Sequence, residues 1–441
     1  MKRTSAALAL ICAGALTLTA GCSDSSVIDH TDEAARMTPV DPLGDLSGVT
    51  LTLWTAQSTA TAAAPVIEAF EAATGASVRT EAIPDLYEQN VPTRLAAGDM
   101  PDLLFWQPSI STLPFIHPQR HLLPLDNEPW VAELGPTEAS LGVLDGTRFA
   151  AVVSSPAMLG VYYNKAVFAE AGLSEADFPH SYDELLQLGH TVRDRTDAAP
   201  FYEAGGDQWP LQWQVQAQLT DLPGNWWEGL NRNEEHWTDP VVVEAITTYR
   251  DELLGAGLAQ DDYRTGTFTG QAEALWEGDA AMALNVTALQ TLFQAQHTTA
   301  EIDATIGWFP VANSDARGLY SPDQANGVVA FRTGDETRQN AARQFLAYWL
   351  GPGYPDYLDA RKITSVQPAV PTPDGLPRIA LDQLAALPQA HGVFQAKAIV
   401  APELHTGLAE LIYGEKSPEA VAQFVDDQFS EIAQAQGAAG F

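Results

Sequence analysis

Between Asp145 and Gly189 the chain reads DGTRFAAVVSSPAMLGVYYNKAVFAEAGLSEADFPHSYDELLQLG. Asp145-Gly146 is a turn signal, and two apolar runs follow, Phe149–Val153 and Met158–Tyr163, parted by Ser154, Ser155 and Pro156. Runs of that length and composition predict strands, and the small polar residues with proline between them predict a break at which the chain changes course. Tyr163-Asn164-Lys165 then opens a short helix that stops at Gly172, and Ser181 with Glu184 forms a capping box for the next. Few folds place strand, break, strand and two capped helices in such quick succession.

The N-terminal part predicts a parallel α/β unit. Val49–Trp54 reads as a strand, Thr55–Thr59 as a polar loop, and the next stretch as a helix with Val66, Ile67 and Phe70 on one face, closed by Gly75; Ser77–Ile83 is a second strand. In such units ligands meet the loops at the carboxyl ends of the strands, which makes Thr55, Gln57 and Ser58 candidate ligand-binding residues. A third strand, Asp102–Trp106, follows Pro101.

The wording of several stretches resembles the extracellular solute-binding proteins of ABC importers, in the branch that includes maltose-binding protein. Asp145–Leu186 matches the segment that carries that family's first crossover between two lobes. FEAATGASV and LAAGDMPDLLFWQPS match two earlier motifs, and Phe268, Ala272, Gly278, Ala281 and Met282 match a later one. Ile306–Pro310 resembles the strand before the second crossover, and Ser365-Val366-Gln367-Pro368 the third. His180-Ser181-Tyr182 departs from the family pattern, as do Ala288 and Leu289 where a tryptophan is frequent.

The resemblance implies an α/β, two-lobed, periplasmic-binding-protein-like fold of type II, with the ligand cleft between the lobes and three crossover hinge segments. The expected division is 48–154 with 323–364 for the first lobe and 155–322 with 365–441 for the second. Trp106 and Gln107 end the third strand, and an indole there suits the apolar C–H face of a sugar. Glu203 and Trp209, in the glycine-rich stretch APFYEAGGDQWPLQWQ, are the expected carboxylate and ring of the second lobe. Asn285 and Thr287, after a strand over Ala281–Leu284, and Asp323, Gln324 and Asn326 at the second crossover complete the cleft candidates. Asn285-Val286-Thr287 is also a glycosylation sequon, read here as chance. No cofactor and no metal are implied, and the implied partners are a small solute, most naturally a saccharide, and the membrane subunits of an ABC permease. The chain is expected to act as a monomer.

The N-terminus predicts export. Lys2 and Arg3 precede the apolar run Ala6–Leu18, too short to span a bilayer, and Thr19-Ala20-Gly21-Cys22 resembles a lipobox cleaved before Cys22. Residues 1–21 are then a leader and 22–47 a polar, flexible tether. Cys12 leaves with the leader, so a lipidated Cys22 is neither disulfide partner, metal ligand nor nucleophile, and the protein would sit on the outer face of the cytoplasmic membrane. Losing Lys2 and Arg3 takes the formal charge from −35 to −37, which argues against a nucleic-acid partner.

The common nucleophile, nucleotide and zinc signatures are missing. His117 and His121 have i, i+4 spacing, but Pro118 between them disfavours a helix. A secreted carbohydrate hydrolase, with two carboxylates and aromatic walls, is the rival reading; a structural lipoprotein and a receptor for a non-sugar solute are the others.

Overall fold

A computed structural model describes residues 37–84, 86–219, 222–311 and 318–441. The expected leader, the lipobox with Cys22 and the tether as far as residue 36 lie outside the described residues.

Two sheets organise the chain. The first takes β1 (Thr50–Ala56), β2 (Ser77–Ile83) and β3 (Leu103–Trp106), then β4 (Ala150–Val152); the second begins at once with β5 (Ala157–Asn164). The second sheet adds β6 (Ala199–Phe201), β7 (Ala280–Val286), β8 (Ile306–Pro310) and β9 (Leu319–Ser321), after which β10 (Gly327–Ala330) returns to the first. A two-residue β11 (His391–Gly392) ends the series. The first sheet runs β2-β1-β3-β10-β4, with β1 parallel to β2 and β3 and with β10 antiparallel to both its neighbours. The second runs β11-β9-β5-β7-β6, with β8 paired to β5 beyond β9.

Alternation along the strands gives each sheet two covered faces. In the first, Leu51, Leu53, Leu103 and Phe105 point to the side covered by α1 (Ala64–Thr74), while Trp54, Leu104 and Trp106 lie on the side of α2 (Tyr87–Ala96). In the second, Leu159, Val161 and Leu284 join a core rich in tryptophan (Trp213, Trp226, Trp227, Trp237), and Met158, Tyr162 and Ala283 join Phe293 and Trp308 on the other side.

Local chemistry fixes the turn from β5 into the helix Lys165–Glu170. Asn164 Oδ1 accepts from the amides of Ala166 and Val167, and its Nδ2 donates to Leu275 O of the helix Phe268–Glu277 at 2.8 Å. Ser181 caps the helix Tyr182–Arg195 by accepting from Glu184 N, but the expected box is only half formed, because Glu184 Oε2 accepts from His180 N at 2.6 Å instead. Pro118 does not prevent a helical turn. It starts one, Pro118–His121, at the position where its missing N–H costs nothing.

Three expectations need correction. β1 continues through Ala56, so Thr55 is a wholly buried strand residue rather than part of a loop, and Gln57–Thr59 forms a 3-10 turn. Residues 37–47 are not a loose tether. Met37, Val40 and Leu46 pack on the first core, Leu46 N donates to Thr74 O, and Arg343 and Gln344 donate to the carbonyls of Thr38 and Gly44. The third passage between the sheets comes later than Ser365–Pro368: Val366 O accepts from Gly135 N, Gln367 Nε2 donates to Leu350 O, and Val370 still packs on the first core, whereas Ile379 belongs to the second unit.

Gly160 stands in the middle of β5, where an added Cβ would meet the Trp308 indole at 2.5 Å. Gly160→Ala is therefore expected to destabilise the second unit by about 1–3 kcal/mol through overpacking. Urea unfolding followed by tryptophan fluorescence checks this, and an unchanged midpoint would contradict the packing described.

Candidate functional site

The carboxyl ends of β1 and β3 face the second passage, Pro322–Asn326, across a cavity of about 250 Å³. Ala56 lines it from the end of β1 and Thr59 from the turn that follows, Tyr87 and Glu88 from the start of α2, Trp106 and Gln107 from the end of β3, and Asp323 and Asn326 from the passage. Parallel strands place their following loops on one edge of the sheet, so three loops and a crossover converge. Tyr87 is held by its hydroxyl, which donates to Phe105 O at 2.5 Å, and its ring lies 5.8 Å from that of Trp106. Trp106 is only 4% exposed, with Nε1 donating to Thr112 O at 2.9 Å, so it forms the wall with an edge and is otherwise core.

Asp323 is the chemically distinctive member. Burial pushes its carboxyl up to about 7, with Ser109 hydrogen bonding opposing and the nearby Glu88 carboxylate reinforcing the rise. Its Oδ1 is shut off from solvent and meets no hydrogen-bond partner among the described residues. Across the passage the second unit comes close: Ser111 Oγ donates to Gln395 O at 3.3 Å. Gln395 in turn donates to Gln212, whose own amide donates to Trp209 O.

The expected second-lobe residues separate. Trp209 is half-buried and packs edge-on against Trp213 and Phe268, with centroids 6.2 and 5.0 Å away. Glu203 does not face a cleft. Its carboxylate is buried, with Oε1 accepting from Gln214 and Oε2 from Tyr249, so both oxygens are already served. Asn285 is fully buried as well, donating to Gln271 Oε1 and accepting from Val286 N. Thr287 lines a different cavity of about 240 Å³ with Ser154, Asn326, Tyr357 and Gln383. There its Oγ1 accepts from Met158 N and donates to Gln383 Oε1. Thr55 is enclosed in the first core, Gln57 is exposed, and the side chains of Ser58 and Gln324 lie outside the described residues.

Over residues 55–354 the sequence matches the bacterial extracellular solute-binding proteins. The chain belongs to that family. Solved structures agree on the two-lobed fold: a chitin oligosaccharide binding protein (TM-score 0.71, 20% identity) is matched over 87% of this chain and 98% of its own. The binding protein MsmE of Bacillus subtilis, in an open conformation, gives 0.72 at 17% identity over 89% and 100%. A sugar transporter protein of Bacillus licheniformis in complex with stachyose gives 0.65 at 19% identity over 87% and 100%. No match is found among curated proteins.

Among the described residues of this solute-binding protein no group of three or more His, Cys, Asp or Glu converges; His117 and His121 stand as a pair with centroids 6.3 Å apart. Sequence reasoning missed Tyr87, Glu88 and Ser109. The signal existed for the first two, because they follow β2 just as Gln57 follows β1, and the carboxyl-end rule applies to both strands alike.

Burial pushes the Glu203 carboxyl from its ordinary value up to about 7. A carboxyl raised by folding adds stability that is fully present below its unfolded value and is lost as pH rises through about 7. The full contribution is about 3 kcal/mol. Melting temperature should therefore fall between pH 5 and pH 8, and Glu203→Gln should flatten a large part of that slope. A slope unchanged by the substitution would show that Glu203 is charged throughout.

Proposed function

We propose that this protein is the substrate-binding lipoprotein of an ABC transporter, capturing a sugar or oligosaccharide between its two units and handing it to a membrane permease without chemical change. The observation that carries the reading is the cavity at the carboxyl ends of β1 and β3, where the Tyr87 and Trp106 rings stand beside Gln107, Asp323 and Asn326. An aromatic wall with a few convergent polar groups suits a ligand that has both apolar C–H faces and hydroxyls. The neighbours add support, since their names and complexes are with chitin oligosaccharide and stachyose. The lipid would be carried by Cys22, placing the monomeric receptor on the outer face of the cytoplasmic membrane. Trp209 is the proposed ring of the second lobe, and Gln57, Ser58 and Gln107 are proposed contacts of the first.

Capture follows from the passages. Among the described residues three connections join the units, and short segments such as Val153–Pro156 can absorb the rotation of a closing cleft. A solute touching both sides binds the closed form better and shifts the population toward it, which gives a permease a shape to recognise.

A thermal-shift screen of saccharides, polyols and amino acids should find a stabilising saccharide. Small-angle scattering with that saccharide should show compaction, and the sugar should be recovered unaltered. Gln107→Ala and Asn326→Ala should each weaken binding by about 1 kcal/mol, roughly fivefold, with the melting temperature of the free protein kept. Release of new reducing ends would favour a hydrolase, and stabilisation by amino acids alone would replace the saccharide.

The anchor is tested separately. Cys22→Ser should release the protein into the medium, and an unacylated N-terminus in the wild type would contradict lipidation.

A further inference from the structure

The charge of the cavity goes further than its shape. Among the described residues its lining includes two carboxylates, Glu88 and Asp323, and no lysine, arginine or histidine. Asp323 keeps one buried oxygen without a partner among the described residues, and Glu88, exposed at the mouth, adds to the negative potential. The nearest cation on the same helix is already engaged: Arg94 donates to Glu81 and Asp99 and lies over the Trp54 ring. A neutral hydroxyl can donate to a carboxylate but leaves its charge uncompensated in a site that closure makes drier, and that residual charge is costly. A ligand that brings its own cation removes the cost and gains a charge-assisted hydrogen bond.

We propose that the bound solute carries an ammonium group and that the cavity is an amino-sugar subsite, with Asp323 pairing the amine and Glu88 drawing it in. This rests on the saccharide reading and narrows it. Its corollary is that uronic acids and sugar phosphates are rejected, since the lining offers like charge and no basic side chain.

β-1,4-linked oligosaccharides that differ only at C2 provide the test: glucosamine, N-acetylglucosamine and glucose series of equal length, titrated calorimetrically at pH 7, where the glucosamine amine is still partly charged and the Asp323 carboxyl, pushed up to about 7, is about half ionised. The glucosamine series should bind at least about tenfold tighter than the other two, the difference expected of a desolvated charge pair. Asp323→Asn should remove that advantage, so that the three series then bind within about threefold of one another, and Glu88→Gln, at the exposed mouth, should cost about twofold and less as salt is raised. Equal or tighter binding of the acetylated or neutral series overturns the amino-sugar subsite and leaves the saccharide receptor standing. Failure of all three series also overturns it, and the saccharide reading is then decided by the broader screen. An advantage for glucosamine that survives in Asp323→Asn would remove Asp323 from the role.

Discussion

Two hydrogen bonds tie the first two passages to each other. Val153 N donates to Asn326 O and Ser154 Oγ accepts from Asn326 N, each at 2.9 Å. β4 and β10 end the first sheet side by side, and β5 and β9 pair again beyond the break, so the connections travel as one ribbon rather than as separate threads. The cavity with Asp323 exists because that ribbon runs past the carboxyl ends of β1 and β3. Small residues are needed there: at Gly327 an added Cβ would stand 2.6 Å from Trp106 O.

The two units solve the problem of buried polarity differently. In the first, two buried carboxylates meet guanidinium groups, Glu128 with Arg343 and Asp102 with Arg338, both at 2.6 Å, while Glu138 accepts from the Ser155 hydroxyl. In the second, amides and phenols do the work: Tyr182 donates to Gln214, Gln214 to Glu203, and Gln260 brackets the backbone of Glu203 on both sides. Burial raises the proton affinity of Glu203, and the hydrogen bonds from Gln214 and Tyr249 offset only part of that rise.

Much of the fold was legible because its signals are local. Gly75 at φ +75 closes a helix, Ser417 caps the last one, and the bounds of β2 and β8 follow from apolar runs flanked by turn residues. The break at Ser154–Pro156 was legible for the same reason. The site was less so, since whether a polar residue faces a cleft or a core depends on partners far away in sequence. Glu203 and Asn285 sit in stretches that suit a ligand loop, yet Gln214, Tyr249 and Gln271 claim them. Ser365-Val366-Gln367 misled in the same manner, because its partners at Gly135 and Leu350 lie far up the chain.

The docking of residues 37–47 on the first unit bears on how the receptor would sit at a surface. If Cys22 carries lipid as proposed, its leash is set by the fourteen residues 23–36, a number that cannot reach beyond about 50 Å. The molecule would then patrol a thin layer above the bilayer. Since Leu46 and Thr38 are fastened to the first unit, the leash pulls on that unit alone. The second unit would then be the outboard arm of the assembly, and its swing would sweep the layer without tugging on the anchor.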